Sequence, residues 1–185
     1  MGLEGSEEAS FPQRRLRRAP LVAGAALAVL AVDQVSKSWA VERLSPEGSP
    51  GIELVGGLAF RLAFNKGMAF SQWQGGGPFI ALVAVGIISV LIWFSRSIHR
   101  RWHLLLVGVV IGGAAGNLVD RAFRAGEGFL GGRVVDFVYV GWWPTFNVAD
   151  AAIVVGGILL AILLSVQEDQ EPEGKAEPES STLER

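Results

Sequence analysis

No cysteine occurs among the 185 residues. The chain therefore has no disulfide, no thiol nucleophile and no acylation site on sulfur, and cysteine usage says nothing about its redox compartment. Charge is scarce too, with Asp, Glu, Lys and Arg making up 18% of residues, so a nucleic-acid partner is not expected. Histidine occurs only at positions 99 and 103, which flank the turn between the second and third apolar stretches and are expected to serve the surface and not a metal site, and no His-Glu-x-x-His pair exists to build the common zinc-hydrolase site. The Gly-x-Ser-x-Gly elbow of serine hydrolases is missing as well. No internal repeat is visible, which leaves an inverted-repeat transporter without support.

Apolar residues are what the chain has in quantity. Half of it is hydrophobic, 24 residues are glycine, and the apolar residues fall in blocks, as in a membrane protein. Four stretches approach or exceed the roughly 20 residues that span a hydrocarbon core. They are Pro20–Ala40, Pro78–Ser95, Trp102–Val119 and Val148–Val166. Arg14, Arg15, Arg17 and Arg18 precede the first, while Arg96, Arg100 and Arg101 separate the second from the third. The positive-inside rule puts both segments in the cytoplasm, and an even number of spans returns the C-terminus there. The start also resembles a secretory signal with a loose cleavage match at Ala28–Ala31. Its apolar run is long for a signal core and continues through a charged pair, so the span is expected to be retained.

Three parts follow: a basic cytoplasmic leader (1–19), a four-span domain (20–166) and an acidic, Pro/Glu/Ser-rich cytoplasmic tail (167–185) expected to be disordered. The outward connections are about 41–77 and 120–146. In the first, Ile52, Leu54, Leu58, Phe60, Leu62 and Phe64 alternate with period two around a Gly56-Gly57 turn. The expected fold is an α-helical membrane protein with four transmembrane helices and a small outward-facing β-platform. Trp73, Trp142, Trp143 and Phe146 suit an interfacial aromatic belt.

The acidic residues near these spans stand out, because a carboxylate against hydrocarbon is costly unless neutralised or paired. Asp33 and Lys37 are four apart in the first span, the spacing and order of a helical ion pair. The small-residue run 112–116 lets helices approach closely. It leads to Asn117 and Asp120 on one face, with Arg121 beside Asp120 as a charge partner. Asn147 and Asp150 stand at N-cap and N3 spacing at the start of the last span. Asp136 interrupts the β-branched run 134–138, on the strand face opposite Val135 and Phe137. Two acids from different segments that meet hold one proton between them, and one then acts as general base while the other acts as general acid on an amide. A metal between the aspartates would need more oxygen ligands than the sequence supplies, so no metal and no cofactor is expected.

These residues resemble the lipoprotein signal peptidases, or signal peptidase II, over about Leu21 to Leu164. Five segments carry the resemblance in order: Asp33–Lys37, Asn65–Ser71, Gly112–Arg121, Val134–Phe137 and Phe146–Asp150. It implies a catalytic aspartate pair at Asp136 and Asp150. Asn65, Asn117, Asp120, Arg121 and Asn147 are implied to line the site, with Asp33 and Lys37 in support. The implied reaction removes the signal peptide of a prolipoprotein before its diacylglyceryl-modified cysteine, at the outer face of the bacterial inner membrane. Membrane lipid and a globomycin-type inhibitor are the other implied partners. The segment from Asp120 to Asp136 is longer than the family's usual connection, which leaves Asp120 beside Asp136 as a candidate partner for Asp150. Met68 stands where a smaller residue is commoner, a change expected to alter packing and not chemistry. The competing readings are a lipid or lipopeptide carrier, and a small proton-coupled transporter using Asp33 and Asp150.

Overall fold

The apolar runs form α1 (Arg18–Leu44), α2 (Gly76–Phe94), α3 (Arg101–Phe123) and α4 (Val148–Glu168). Each is long and apolar enough to cross a membrane. The computed structural model describes residues 18–67, 76–126 and 128–168. The expectations for residues 1–17, Met68, Trp73 and the tail beyond residue 168 lie outside them. The helices overrun the apolar stretches, most clearly at Glu42 and Arg43 in α1 and at Asp120 and Arg121 in α3, because a helix continues into a polar interface as long as its backbone bonds are kept.

Helix α3 is the centre of the bundle: 56% of its most apolar window is buried in protein, against 11% in α1 and α2 and 17% in α4. Glycine makes that possible. A Cβ at Gly108 or Gly112 would stand 2.5 Å from the carbonyl oxygen of Val22 or Ala26, and one at Gly116 would stand 2.5 Å from Asp33 Oδ2. The three contacts advance together, so α1 and α3 run parallel with their backbones nearly touching, as small-residue faces allow. On the adjacent face Gly113 meets Ala149 and Gly156 meets Val109 and Val110, which sets α4 antiparallel to α3. Helix α2 turns Phe79, Leu82, Val90 and Trp93 outward, each at least 61% exposed, as a lipid-facing helix would.

Between the helices lie β1 (Ile52–Glu53), β2 (Leu58–Asn65), β3 (Val134–Val140) and β4 (Trp143–Phe146), an antiparallel sheet in the order β1-β2-β3-β4. The Gly56-Gly57 turn joins the first two, each glycine with positive φ. Ala40 and Leu44 of α1 pack under Leu62, Val135 and Phe137, with Trp39 edge-on to Phe60 at 5.3 Å. This second core seats the sheet on the end of α1. The opposite end of the bundle gathers the start of α1 and the α2–α3 turn, where Arg18 donates to the carbonyl of Arg96.

One expectation needs correcting. His103, expected at the surface beside His99, is buried while His99 is exposed. It lies inside the first turn of α3 beside Leu104, on the face turned toward the bundle. Trp142 and Trp143 form part of the sheet, at the turn into β4 and within it, with their rings edge-to-face at 5.4 Å. The belt pattern had not revealed that strand.

Candidate active site

The expected residues converge where the sheet meets the ends of α1 and α3 and the start of α4. In the β2–β3 register Ala63 stands opposite Asp136 and Asn65 opposite Val134. Asn65 is thus the diagonal neighbour of Asp136, and its Nδ2 donates to Asp136 Oδ2 at 3.1 Å. Asp136 does face away from Val135 and Phe137, but all three are buried. The ends of α3 and α4 cover the face on which an isolated strand would meet water.

Asn147 and Asp150 form a reciprocal cap at the start of α4. The Asp150 N–H donates to Asn147 Oδ1 at 2.9 Å, and the Asn147 N–H donates to Asp150 Oδ2 at 3.2 Å. Asn147 Nδ2 remains free to donate to Asp136 Oδ1 at 2.7 Å. Asn117 completes the bridge, donating from Nδ2 to Asp150 Oδ1 at 2.8 Å and accepting from Asn147 Nδ2 at 3.2 Å. Burial, and then the nearby charge of Asp150, push the Asp136 carboxyl up from 3.8 to about 6, against the opposing pull of the Asn65 and Asn147 amides.

Deeper in the bundle, Lys37 Nζ lies 2.8 Å from Asp33 Oδ2, 3.1 Å from Asp120 Oδ2 and 2.9 Å from Asn117 Oδ1. All three donors of the ammonium are satisfied. Asp120 pairs with Lys37 and with Arg124, whose Nε lies 2.8 Å away, and not with its neighbour Arg121. Adjacent helical residues point about 100° apart, whereas i and i+4 share a face. Gln34 Nε2 adds bonds to Asp33 Oδ2 and Gly116 O, both at 3.1 Å, and to Asp120 Oδ1 at 3.2 Å. Sequence reasoning missed Gln34 and Arg124, although Arg124 carried a readable signal in its spacing from Asp120.

Residues 25–166 match the family described as signal peptidase (SPase) II. The chain belongs to that family. A lipoprotein signal peptidase of Mycobacterium tuberculosis strain H37Rv is 44% identical over 163 residues, covering 88% of this chain and 78% of the relative. One from Rhodococcus jostii is 47% identical over 147 residues, covering 79% and 72%. A bacterial membrane enzyme solved at 2.3 Å superposes with a TM-score of 0.69 at 24% identity, covering 84% of this chain and 94% of the other. A second, solved at 1.9 Å, gives 0.66 at 27% identity over 77% and 91%. The four-helix frame with its open sheet is therefore that of a bacterial membrane enzyme.

In this signal peptidase II a cavity of about 210 Å³ opens beside the buried network. Asn65, Asn117, Arg121 and Asp150 supply its polar wall, while Ile80, Ala81, Ala84 and Leu118 supply an apolar one from α2 and α3. Arg121 is 6% exposed, and its Nη1 has no hydrogen-bond partner among the described residues. The guanidinium fits against Gly67 and Gly77, where an added Cβ would come within 3.3 Å of that nitrogen. Asn65, Asn117, Asn147, Asp136 and Asp150 thus share one network, Asp33, Lys37 and Asp120 form its deep side, and Arg121 faces the cavity.

Proposed function

We propose that this signal peptidase II, a membrane protease that removes signal peptides from prolipoproteins, hydrolyses its substrate with Asp136 and Asp150 as an aspartyl pair. The observation that carries this reading is the single residue, Asn147, that hydrogen-bonds both carboxyls. Asp120 is the poorer candidate for the pair, because Lys37, Arg124, Gln34 and the Val135 N–H already occupy its oxygens. Asp136, pushed up to about 6, holds the shared proton, and Asp150 is the base.

The chemistry follows from that assignment. Asp150 takes a proton from water, and the oxygen attacks the scissile carbonyl carbon. Asp136 gives its proton to the carbonyl oxygen. As the tetrahedral intermediate collapses, the C–N bond breaks and the amine nitrogen takes the proton held by Asp150. Asp136 regains its own, so two carboxyls complete the cycle without a covalent intermediate. Arg121 Nη1, buried and unpartnered among the described residues, suits a main-chain carbonyl of the bound peptide, since an unsatisfied buried donor is costly to leave unmet. The apolar wall of α2 suits the acyl chains of a diacylglyceryl cysteine.

Arg96, Arg100 and Arg101 at the opposite end of the bundle support a cytoplasmic assignment for that end and for both termini. The pair then works at the extracytoplasmic face of the inner membrane. Membership in a peptidase family does not favour the carrier and transporter readings. The test is cleavage by the purified full chain of a diacylglyceryl-modified prolipoprotein beside its unmodified form. Cleavage of the modified form alone, blocked by a globomycin-type cyclic peptide, supports the reading; equal cleavage of both removes the lipid specificity.

A further inference from the structure

Two carboxylates outside the pair, Asp33 and Asp120, do the same thing in two places. Asp33 Oδ1 accepts the backbone N–H of Ala149, the residue before Asp150, at 2.9 Å. Asp120 Oδ2 accepts the backbone N–H of Val135, the residue before Asp136, at 3.1 Å. Each acid of the pair is thus held through the backbone N–H of the residue before it, one at the mouth of α4 and one in β3. Lys37 Nζ sits between the two holders, at 2.8 Å from Asp33 and 3.1 Å from Asp120. Gln34 Nε2 spans the same two carboxylates.

We propose that Lys37, together with Asp33 and Asp120, is a positioning device that fixes how far apart Asp136 and Asp150 stand. The inference rests on the assignment of those two aspartates as the catalytic pair. Lys37 touches neither of them. It acts through the two backbone grips and through Asn117, whose Oδ1 it occupies at 2.9 Å so that Nδ2 is left to face Asp150. Helix α3 admits the device only because Gly116 leaves room for Asp33 Oδ2. Pairwise ion bonds alone would not require Asp33 to end its other oxygen, Oδ1, and Asp120 the same Oδ2 that meets Lys37, on these two amides. A buried ammonium with three satisfied donors and both acids at 0% exposure is also a rigid anchor, suited to holding a spacing.

The test uses the full chain in detergent, with steady-state cleavage of a diacylglyceryl prolipoprotein across pH. Asp33→Ala removes the acceptor for the Ala149 N–H, and Asp33→Asn keeps an oxygen there although it weakens the pairing with Lys37. A displacement of about 1 Å in such a site costs on the order of 100-fold. The expected result is therefore a roughly 100-fold fall in kcat for Asp33→Ala, with KM within about twofold, and recovery of most of that loss in Asp33→Asn. The alkaline limb of the kcat profile, where Asp136 loses the proton it must donate, should move to lower pH in Asp33→Ala, because Asp136 is relieved of part of the repulsion from Asp150. The other charged groups around the device, Lys37, Asp120, Arg121 and Arg124, are unchanged in both variants.

A role confined to holding helices together predicts something else: both variants melt lower in step, and the surviving enzyme keeps its alkaline limb. That result overturns the proposal, and so does failure of both Asp33→Ala and the smaller polar Asp33→Ser to fold. Asp136→Asn and Asp150→Asn separate this inference from the assignment beneath it. If either cleaves at the full rate, the pair itself is wrong. If both are inactive while Asp33→Ala keeps wild-type kcat and profile, the pair stands and the positioning role fails.

Discussion

Asn147 and Asp150 bond to each other twice, side chain to backbone in both directions, at 2.9 and 3.2 Å. The arrangement stabilises the start of α4, and it also leaves the Asn147 amide aimed at Asp136 at 2.7 Å. In the proposed mechanism capping and catalysis share one residue, and substitutions can separate them. Serine at position 147 keeps the capping oxygen and loses the amide donor, whereas alanine loses both. Asn147→Ala should lower stability by about 1 kcal/mol and Asn147→Ser by much less. Both should cut kcat by roughly 10- to 100-fold, since each lets Asp136 drift from its partner. Thermal melting beside cleavage rates checks this, and normal activity in Asn147→Ser would remove the amide from the mechanism.

Stability should depend on pH through Asp136. Its carboxyl titrates near 6 in the folded protein and near 3.8 in the unfolded chain. Between those values the folded state holds the proton that the unfolded state has lost, so stability falls as pH rises through the window and the loss is complete above the folded value. The full effect is on the order of 3 kcal/mol. Asp136→Asn carries no such proton, so it should lack that fall and melt higher than wild type near pH 7.5. Parallel melting curves against pH for the two proteins would show that Asp136 carries no such burden.

Glycine at position 116 is where two backbones and a carboxylate crowd together. Gly116→Ala places a methyl 2.5 Å from Asp33 Oδ2, and overpacking of this kind costs roughly 1–3 kcal/mol. Gly86, in the same bundle on α2, has nothing within 4 Å of an added Cβ. Gly86→Ala should be neutral or stabilise by up to about 1 kcal/mol, as alanine is the better helix former. Equal melting temperatures for the two variants would contradict the close packing of α1 on α3.

Arg121 is a buried cation whose Nη1 meets no partner among the described residues, so its removal should separate binding from stability. Arg121→Met takes away an unsatisfied buried group, and the empty enzyme should melt no lower than wild type. Loss of a charged hydrogen bond to the substrate, worth about 1.5–3 kcal/mol, should raise KM by roughly 10- to 100-fold. An unchanged KM would show that Arg121 does not meet the peptide.

Much of this was legible in the sequence because the strongest signals were local. Apolar length gave the four spans, the period-two run with Gly56-Gly57 gave the first hairpin, and i, i+4 spacing gave the Asp33–Lys37 pair. The Asn147–Asp150 cap followed from spacing alone. What was hidden depended on tertiary packing. Nothing in Asp120-Arg121 says that the acid turns toward Lys37 and Arg124 while the arginine turns to the cavity. His103 looked like a surface residue because its burial comes from neighbouring helices and not from its own segment. The grip of Asp33 on the Ala149 N–H spans 116 residues of sequence, and no periodicity encodes such a contact.

The proposed sharing of one proton by Asp136 and Asp150 is most directly tested by single-turnover cleavage of a diacylglyceryl prolipoprotein by Asp136→Asn and Asp150→Asn, each first shown to be folded by melting. Loss of about 10³-fold or more in both, the scale of general acid–base catalysis, is the expected result. Either variant cleaving at the wild-type rate contradicts it.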